Sequence, residues 1–310
     1  MQDGGTFSLL PFSFMGRRPR QFIKLQGERV MPELAYVNGE IMPIEKAMIP
    51  IEDRGNQFGD AVYEVIATRN GRLFCMEDHL NRLERSMNAL SFPLISRDTI
   101  RQAILKIYRQ AEIPRAAIYI QISRGVAARN HAYPEKPCPM FIMTIRSVKD
   151  MPQSCRTEGV GVITVPDIRW GRCDIKTVQL LPNIMAKQRA AESGVADAIF
   201  VSVDGIVREG SSSNLFIARN NRLITHPLTS EILGGITRMV ILDICKNLNI
   251  PVEERYCHQR EMFQADEVFF TGTISEVLPI VRIDEKTIGN GRVGPISSRL
   301  YQALMQKMSE

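Results

Sequence analysis

Long apolar runs are missing from this chain. No stretch approaches the roughly 18 consecutive residues that a membrane-spanning helix needs, so no membrane span is expected. Metal and disulfide patterns are missing too. The six cysteines (75, 138, 155, 173, 245 and 257) make no Cys-x-x-Cys pair and no ligand spacing with the four histidines. No metal site is therefore expected, and the thiols read as the reduced cysteines of a cytoplasmic protein. Charge is not concentrated in one sign either: 39 Lys and Arg face 34 Asp and Glu, a net of +5 with a pI of 8.9. No basic block is interleaved with aromatics, which argues against nucleic acid as a partner. The apolar patch Phe7 to Met15 precedes Arg17-Arg18-Pro19-Arg20, the reverse of the order in a secretory signal. Residues 1–30 are expected to be an appendage to a fold that begins at Met31.

What is present is ordinary in bulk, 44% hydrophobic and 24% charged, as in soluble globular proteins. A chain of 310 residues exceeds what one core usually supports. The expected division is a small α/β domain over 31–148, an interdomain linker over 149–156 and a larger domain over 157–310, the polar Lys149-Asp-Met-Pro-Gln-Ser154 suiting the linker. Val62 to Thr68 is β-branched enough for a strand, Asn70-Gly71 suits a type I′ hairpin turn, and Glu52 to Asp60 reads as a polar turn. Leu80, Leu83, Met87 and Leu90 recur at helical spacing and predict a helix over Met76 to Leu90. Arg82 lies off that stripe by roughly a third of a turn, so the pattern alone makes it solvent-exposed. Later strands fall in hairpins with helices set between them, including one opened by Gly234-Gly235-Ile236-Thr237. That arrangement predicts an α+β fold with mixed sheets.

The chemistry centres on Lys176, which follows the extended Val160 to Val165 and lies near Trp170, the only tryptophan. An ammonium held against apolar surface loses charge readily and becomes a nucleophilic amine; a solvated strand lysine is the alternative. Glu209-Gly-Ser-Ser-Ser-Asn214 places a carboxylate and hydroxyls at one strand end and on its own reads as a polar turn, and the glycines before Ile236 suit a helix start that receives a phosphate, or a simple cap. Gly289-Asn-Gly291-Arg-Val-Gly294 matches a dinucleotide pattern but has no convincing strand before it and reads as a surface loop. Together, the lysine, carboxylate, hydroxyls and anion cradle are what pyridoxal 5′-phosphate requires.

The motifs Glu52-Asp-Arg-Gly-Asn-Gln-Phe-Gly-Asp60, Arg169-Trp-Gly-Arg-Cys-Asp-Ile-Lys176, Glu209 to Asn214 and Gly235-Ile-Thr-Arg238 resemble fold-type IV pyridoxal-phosphate aminotransferases, and most of all their D-amino acid members. The likeness runs from about Met31 to the C-terminus. It implies a two-domain architecture with the cofactor in the interdomain cleft and Lys176 as the catalytic Schiff-base lysine. It further implies Glu209 at the pyridine nitrogen, Ser212 close to the ring, and phosphate contacts from Arg82, the Ile236 and Thr237 backbone and Thr273. On this resemblance Arg82 is a ligand rather than a solvated side chain. Asn56 and Gly272 depart from the family pattern, where an aromatic and a small hydroxyl residue are frequent. Arg124-Gly-Val-Ala-Ala-Arg129-Asn-His131 is similar to the Arg-x-His carboxylate trap of the D-enzymes, completed by Tyr63, with the loop reaching in from the partner of a homodimer. The implied reaction moves an amino group from a D-amino acid such as D-alanine to a 2-oxo acid such as 2-oxoglutarate, giving pyruvate and D-glutamate. Branched-chain L-amino acid and amine transaminases share the fold, and a catalytically silent cofactor-binding or nucleic-acid-associated protein is the reading from another class.

Overall fold

A computed structural model describes residues 33–93 and 95–309; the expected appendage over 1–30 lies outside them. The chain first forms an antiparallel hairpin, β1 (Leu34–Val37) and β2 (Glu40–Pro43), turning at Asn38 and Gly39 with positive φ. The Glu52 to Asp60 segment, expected as a turn, contains a short helix, α1 (Arg54–Phe58). The Asp53 side chain accepts from Gly55 N–H at its start, and left-handed Gly59 ends it. Five residues are too few for a helical period to show. β3 (Ala61–Arg69) and β4 (Arg72–Leu73) follow, joined by Asn70 and Gly71, both with positive φ as a type I′ turn requires. Helices α2 (Met76–Ala89) and α3 (Arg97–Ala111) precede strands β5 (Ala116–Ser123) and β6 (Met140–Ser147).

These six strands form one antiparallel sheet, ordered β2-β1-β6-β5-β3-β4. On β5 the buried Ala116, Ile118, Ile120 and Ile122 alternate with half-buried residues, the period-2 pattern of a strand with one face in a core. Leu80, Leu83 and Met87 of α2 and Ile100, Ile104 and Ile107 of α3 are buried. The apolar periodicity over Met76 to Leu90 therefore identified the core face of α2.

The remainder begins with α4 (Gln153–Thr157), which starts inside the segment expected as a linker, and continues through β7 (Val160–Pro166), α5 (Leu181–Glu192), β8 (Asp197–Val201) and β9 (Val207–Gly210). Then come β10 (Asn214–Arg219), β11 (Arg222–Thr225), α6 (Ile236–Asn247), β12 (Val252–Glu254) and α7 (Gln259–Met262). β13 (Glu267–Gly272), β14 (Glu276–Ile283), β15 (Lys286–Thr287) and α8 (Pro295–Lys307) finish the chain. The nine strands make a mixed sheet ordered β12-β11-β10-β13-β14-β7-β8-β9, with β15 beside β14. β7 runs parallel to both β8 and β14. Because β9 also pairs with β10, through Glu209 opposite Asn214, the sheet closes on itself over β10, β13, β14, β7, β8 and β9.

Every strand of that ring sends apolar residues to one core cluster: Val160 and Val162, Ile199 and Val201, Val207, Leu215 and Ile217, Val268 and Phe270, Leu278 and Ile280. Intervening residues such as Phe216 and Phe269 join a second cluster with Val240, Ile241 and Ile244 of α6 and Leu300 and Leu304 of α8. The fold is thus α+β, with two sheets that differ in strand direction and curvature.

A Glu276 cluster ties the two sheets together. Its carboxylate accepts from Arg69 Nη1 at the end of β3 (2.9 Å), from Arg115 Nη2 just before β5 (3.1 Å) and from Arg156 Nη2 on α4 (2.9 Å). The Gly289 to Gly294 segment forms turns that lead into α8 at Pro295, consistent with a loop.

Candidate active site

The Lys176 loop, after β7, is anchored to the other sheet by its backbone. Tyr63 N–H donates to Lys176 C=O (2.9 Å) and Val178 N–H to Ala61 C=O (3.1 Å), so residues 176–178 lie alongside β3. Lys176 is half-buried, and its Nζ stands 4.1 Å from the Tyr63 ring centroid, within cation–π range. Tyr63 in turn stacks on Tyr119 with centroids 5.5 Å apart.

Around Lys176 lies a cavity of about 700 Å³, whose wall includes Tyr63, Arg82, Glu209, Ser212, Ile236, Thr237 and Thr273. Every residue expected to hold the cofactor is therefore brought to one chamber. Trp170 is in the same wall, 38% exposed.

Glu209 sits where β9 meets β10. Its carboxylate accepts from Arg169 Nη1, from Asn214 Nδ2 (2.9 Å) and from Leu233 N–H (3.2 Å). Burial pushes its pKa up to about 7 against the pull of Arg169. Arg169 is itself held by Asp167 and by the Glu231 carbonyl. Neither Arg169 nor Asn214 was singled out as a site residue from sequence, because their partner Glu209 is 40 residues from one and across a turn from the other.

Beyond Asn214, α6 starts at Ile236 with Gly235 as its N-cap. A Cβ on Gly235 would stand 1.9 Å from Asn214 Oδ1, so only glycine lets the helix start approach this closely. The first N–H groups of α6 lack intrahelical partners and lie beside the cavity. Two further hydroxyls of the wall, Ser213 Oγ and Thr271 Oγ1, are buried without a partner. Such orphaned groups are costly unless a ligand satisfies them. Together with Arg82 and Thr273 they form a donor set that fits a phosphate, while Glu209 fits a protonated ring nitrogen. Pyridoxal 5′-phosphate thus matches the residues present. Gly272 brings no hydroxyl to this wall, and a Cβ there would stand 2.6 Å from Ser275 Oγ.

The pattern-based expectation that Arg82 is solvent-exposed is overturned: it is 4% exposed. Its Nε and Nη2 donate to both oxygens of Glu64 (2.6 and 2.8 Å), and its Nη1 donates to Gly234 C=O (2.8 Å). His79 Nδ1 also bonds the Glu64 carboxylate (2.8 Å). His79, Arg82 and Ser86 recur at i, i+3 and i+7, a second, polar stripe beside the apolar one, and both stripes of α2 are buried. That spacing was the available signal.

Arg129 and His131 do not line the Lys176 cavity of their own chain and are exposed. Both touch Phe58, with the Arg129 guanidinium 4.6 Å from its ring centroid and the His131 ring edge-on at 5.5 Å. Their loop is pinned by buried Arg54, which donates to the carbonyls of Asn130 (2.6 Å), His131 and Ala132 (both 3.3 Å). Asp60 accepts from both Arg54 and Arg124 at 2.8 Å. Gly125 starts the loop with φ of 98°, and a Cβ there would meet Cys138 O at 1.7 Å.

The family described as Amino-transferase class IV matches residues 61–283. The chain is 39% identical to the D-alanine aminotransferase of Bacillus licheniformis, over 87% of this chain and 95% of that one. It is 38% identical to the D-alanine aminotransferase of Staphylococcus aureus, over 87% and 96%. Among solved structures, the branched-chain amino acid aminotransferase from Escherichia coli superposes with a TM-score of 0.80 at 26% identity, covering 88% of this chain and 93% of that one. A T.th. branched-chain amino acid aminotransferase, solved with pyridoxamine 5′-phosphate, gives 0.82 at 25%, covering 89% and 93%. With its cavity built for that class of cofactor and its sequence matched over most of its length, the chain belongs to the class IV aminotransferases and is a pyridoxal-phosphate-dependent enzyme.

Proposed function

We propose that this aminotransferase moves the amino group of a D-amino acid such as D-alanine to a 2-oxo acid such as 2-oxoglutarate, giving pyruvate and D-glutamate. It acts as a cytoplasmic homodimer in which the Arg129 and His131 loop of one copy enters the cavity of the other. The observation that supports the D-preference is the Arg129-x-His131 pair on a loop whose carbonyls are held by Arg54, yet outside its own chain's cavity. An exposed arginine and histidine on a loop whose backbone is pinned, outside their own chain's cavity, suit a neighbouring one. Exposed Ile51, Val126 and Tyr133 beside them supply apolar surface for that contact. The sequence relatives are D-alanine aminotransferases, which favours the same hand.

In this reading Lys176 Nζ would hold the cofactor and, once released from it by the incoming amine, would take up and return the proton at substrate Cα. When bound, pyridoxal phosphate supplies an electron sink for the charge left at Cα. Glu209 keeps the ring nitrogen protonated, because an ionised carboxylate in a dry site favours an adjacent cation, and Arg169 and Asn214 hold it in that position. Arg82, the N-terminal backbone of α6 and Thr273 hold the phosphate, and Ser212 borders the ring. Arg129 takes the substrate α-carboxylate through charge-assisted bonds, with His131 and the Tyr63 hydroxyl at its edge. Fixing the carboxylate there directs the Cα–H of one enantiomer toward Lys176.

A donor screen with 2-oxoglutarate tests this. D-alanine should exceed L-leucine and L-valine in the wild type. Arg129→Ala should lower kcat/KM for D-alanine by about tenfold to a hundredfold, with a raised KM. Faster turnover of L-leucine or L-valine, with an enantiomer ratio untouched by Arg129→Ala, would sink the proposal.

A further inference from the structure

We propose that Glu64 is a positioning residue that aims Arg82 at the anion end of the cavity; this rests on Arg82 holding the cofactor phosphate. Glu64 lies on β3 opposite Ile120, on the sheet face covered by α2, and is 0% exposed. An ion pair is a poor way to fasten a helix to a sheet. Removing two charges from water is costly, and an apolar pair of similar volume usually holds as well or better. The geometry shows what this pair does instead.

A guanidinium has five N–H bonds. Glu64 accepts one from Nε and one from Nη2, and Gly234 C=O accepts one from Nη1. One N–H on each terminal nitrogen remains, and Arg82 forms part of the cavity wall. Donors left on one planar group suit the oxygens of a phosphate, provided that the plane cannot turn. The bidentate bond to Glu64 is what stops it turning. Glu64 is fixed in turn by His79 Nδ1, and the Gly234 carbonyl ties the same guanidinium to the residue before the α6 cap. Both anion-facing elements, Arg82 and the helix start, are thereby held in one frame. Burial by itself would push the Glu64 carboxyl up, but the charge and hydrogen bonds of Arg82, with those of His79, outweigh it and bring it to about 2. The paired guanidinium thus favours the ionised carboxylate.

The test compares two ligands that differ only in the phosphate. Full-length protein dialysed free of cofactor is titrated with pyridoxamine 5′-phosphate and with pyridoxamine, for wild type and for Glu64→Gln. The amide keeps the shape but turns an N–H toward one donor of the fork. Affinity for the phosphorylated ligand should fall by about tenfold or more, the worth of a charge-assisted bond, with that for pyridoxamine nearly unchanged. If Glu64→Gln does not fold, Glu64→Asp, which retains charge but is one methylene short, should show the same selective loss. Equal weakening of both ligands would make Glu64 a merely structural residue and overturn the inference. Wild-type protein that binds both ligands alike would instead refute the phosphate role of Arg82 itself, and the inference with it.

Discussion

Replacing Glu276 with glutamine should loosen the junction between the two sheets, and the structure sets the scale. Glu276 is 4% exposed and meets three arginines, of which Arg156 is also buried and has no other carboxylate partner among the described residues. Removing one member of a buried ion pair costs about 3–5 kcal/mol because a charge is left uncompensated. Arg69 and Arg115 are partly solvated and keep Asp150, so each adds at most about 1 kcal/mol. A glutamine oxygen still accepts one bond, which brings the expected loss to about 3 kcal/mol. For a chain of this size, about 2–4 °C per kcal/mol translates that into a fall in Tm of roughly 6–12 °C. Calorimetry at fixed saturating cofactor and pH 7 measures it. A second variant separates charge from backbone. Glu276 has φ of 56°, a left-handed conformation that costs about 1–3 kcal/mol outside glycine. Glu276→Gly relieves that strain while deleting the same charge, and should still melt below wild type. A glutamine variant within about 2 °C of wild type, or a glycine variant at or above it, would refute the ion-pair argument.

Two further outcomes follow from the cavity. Lys176→Ala should abolish multiple turnover while pyridoxamine 5′-phosphate still binds, since Arg82 and the α6 start remain; near wild-type turnover in a standard assay would remove Lys176 from the mechanism. The raised Glu209 pKa makes cofactor-free protein pH-sensitive. The folded state binds the proton more tightly than the unfolded chain, so this stability is complete below pH 4.5 and is lost as pH rises through about 7. The loss is about 3 kcal/mol. Urea unfolding at pH 5 and 8 should show it in the wild type and not in Glu209→Gln, and parallel losses in the two proteins would count against it.

Local structure was legible wherever chemistry and period act over neighbouring residues. The α2 stripe, the Asn70-Gly71 turn, the strand over Val62 to Thr68 and the glycine-led start of α6 all lie close to expectation. What escaped depends on distant residues. Closure of the larger sheet rests on β9, four residues long, meeting β10 through one residue pair. Short β12 and α7, and the parallel pairing of β7 with both neighbours, leave no periodic trace. Arg82 was misassigned from pattern because hydropathy counts a buried ion pair as two solvated residues; only Glu64, on another element, explains its burial. The family motifs brought Lys176, Glu209 and Arg82 forward as candidates and contain Arg169 and Asn214 without showing that these hold Glu209, while Glu64, which holds Arg82, lies outside every motif.

Trp170 gives the molecule a built-in optical reporter. A chain with a single indole has one site of tryptophan emission, and here that indole belongs to the cavity wall. Pyridoxal and pyridoxamine phosphates absorb in the near ultraviolet and visible, so a bound cofactor can drain the excited indole by energy transfer. Filling and emptying of the chamber can then be followed by intrinsic fluorescence in the unlabelled protein, with no second tryptophan to blur the signal.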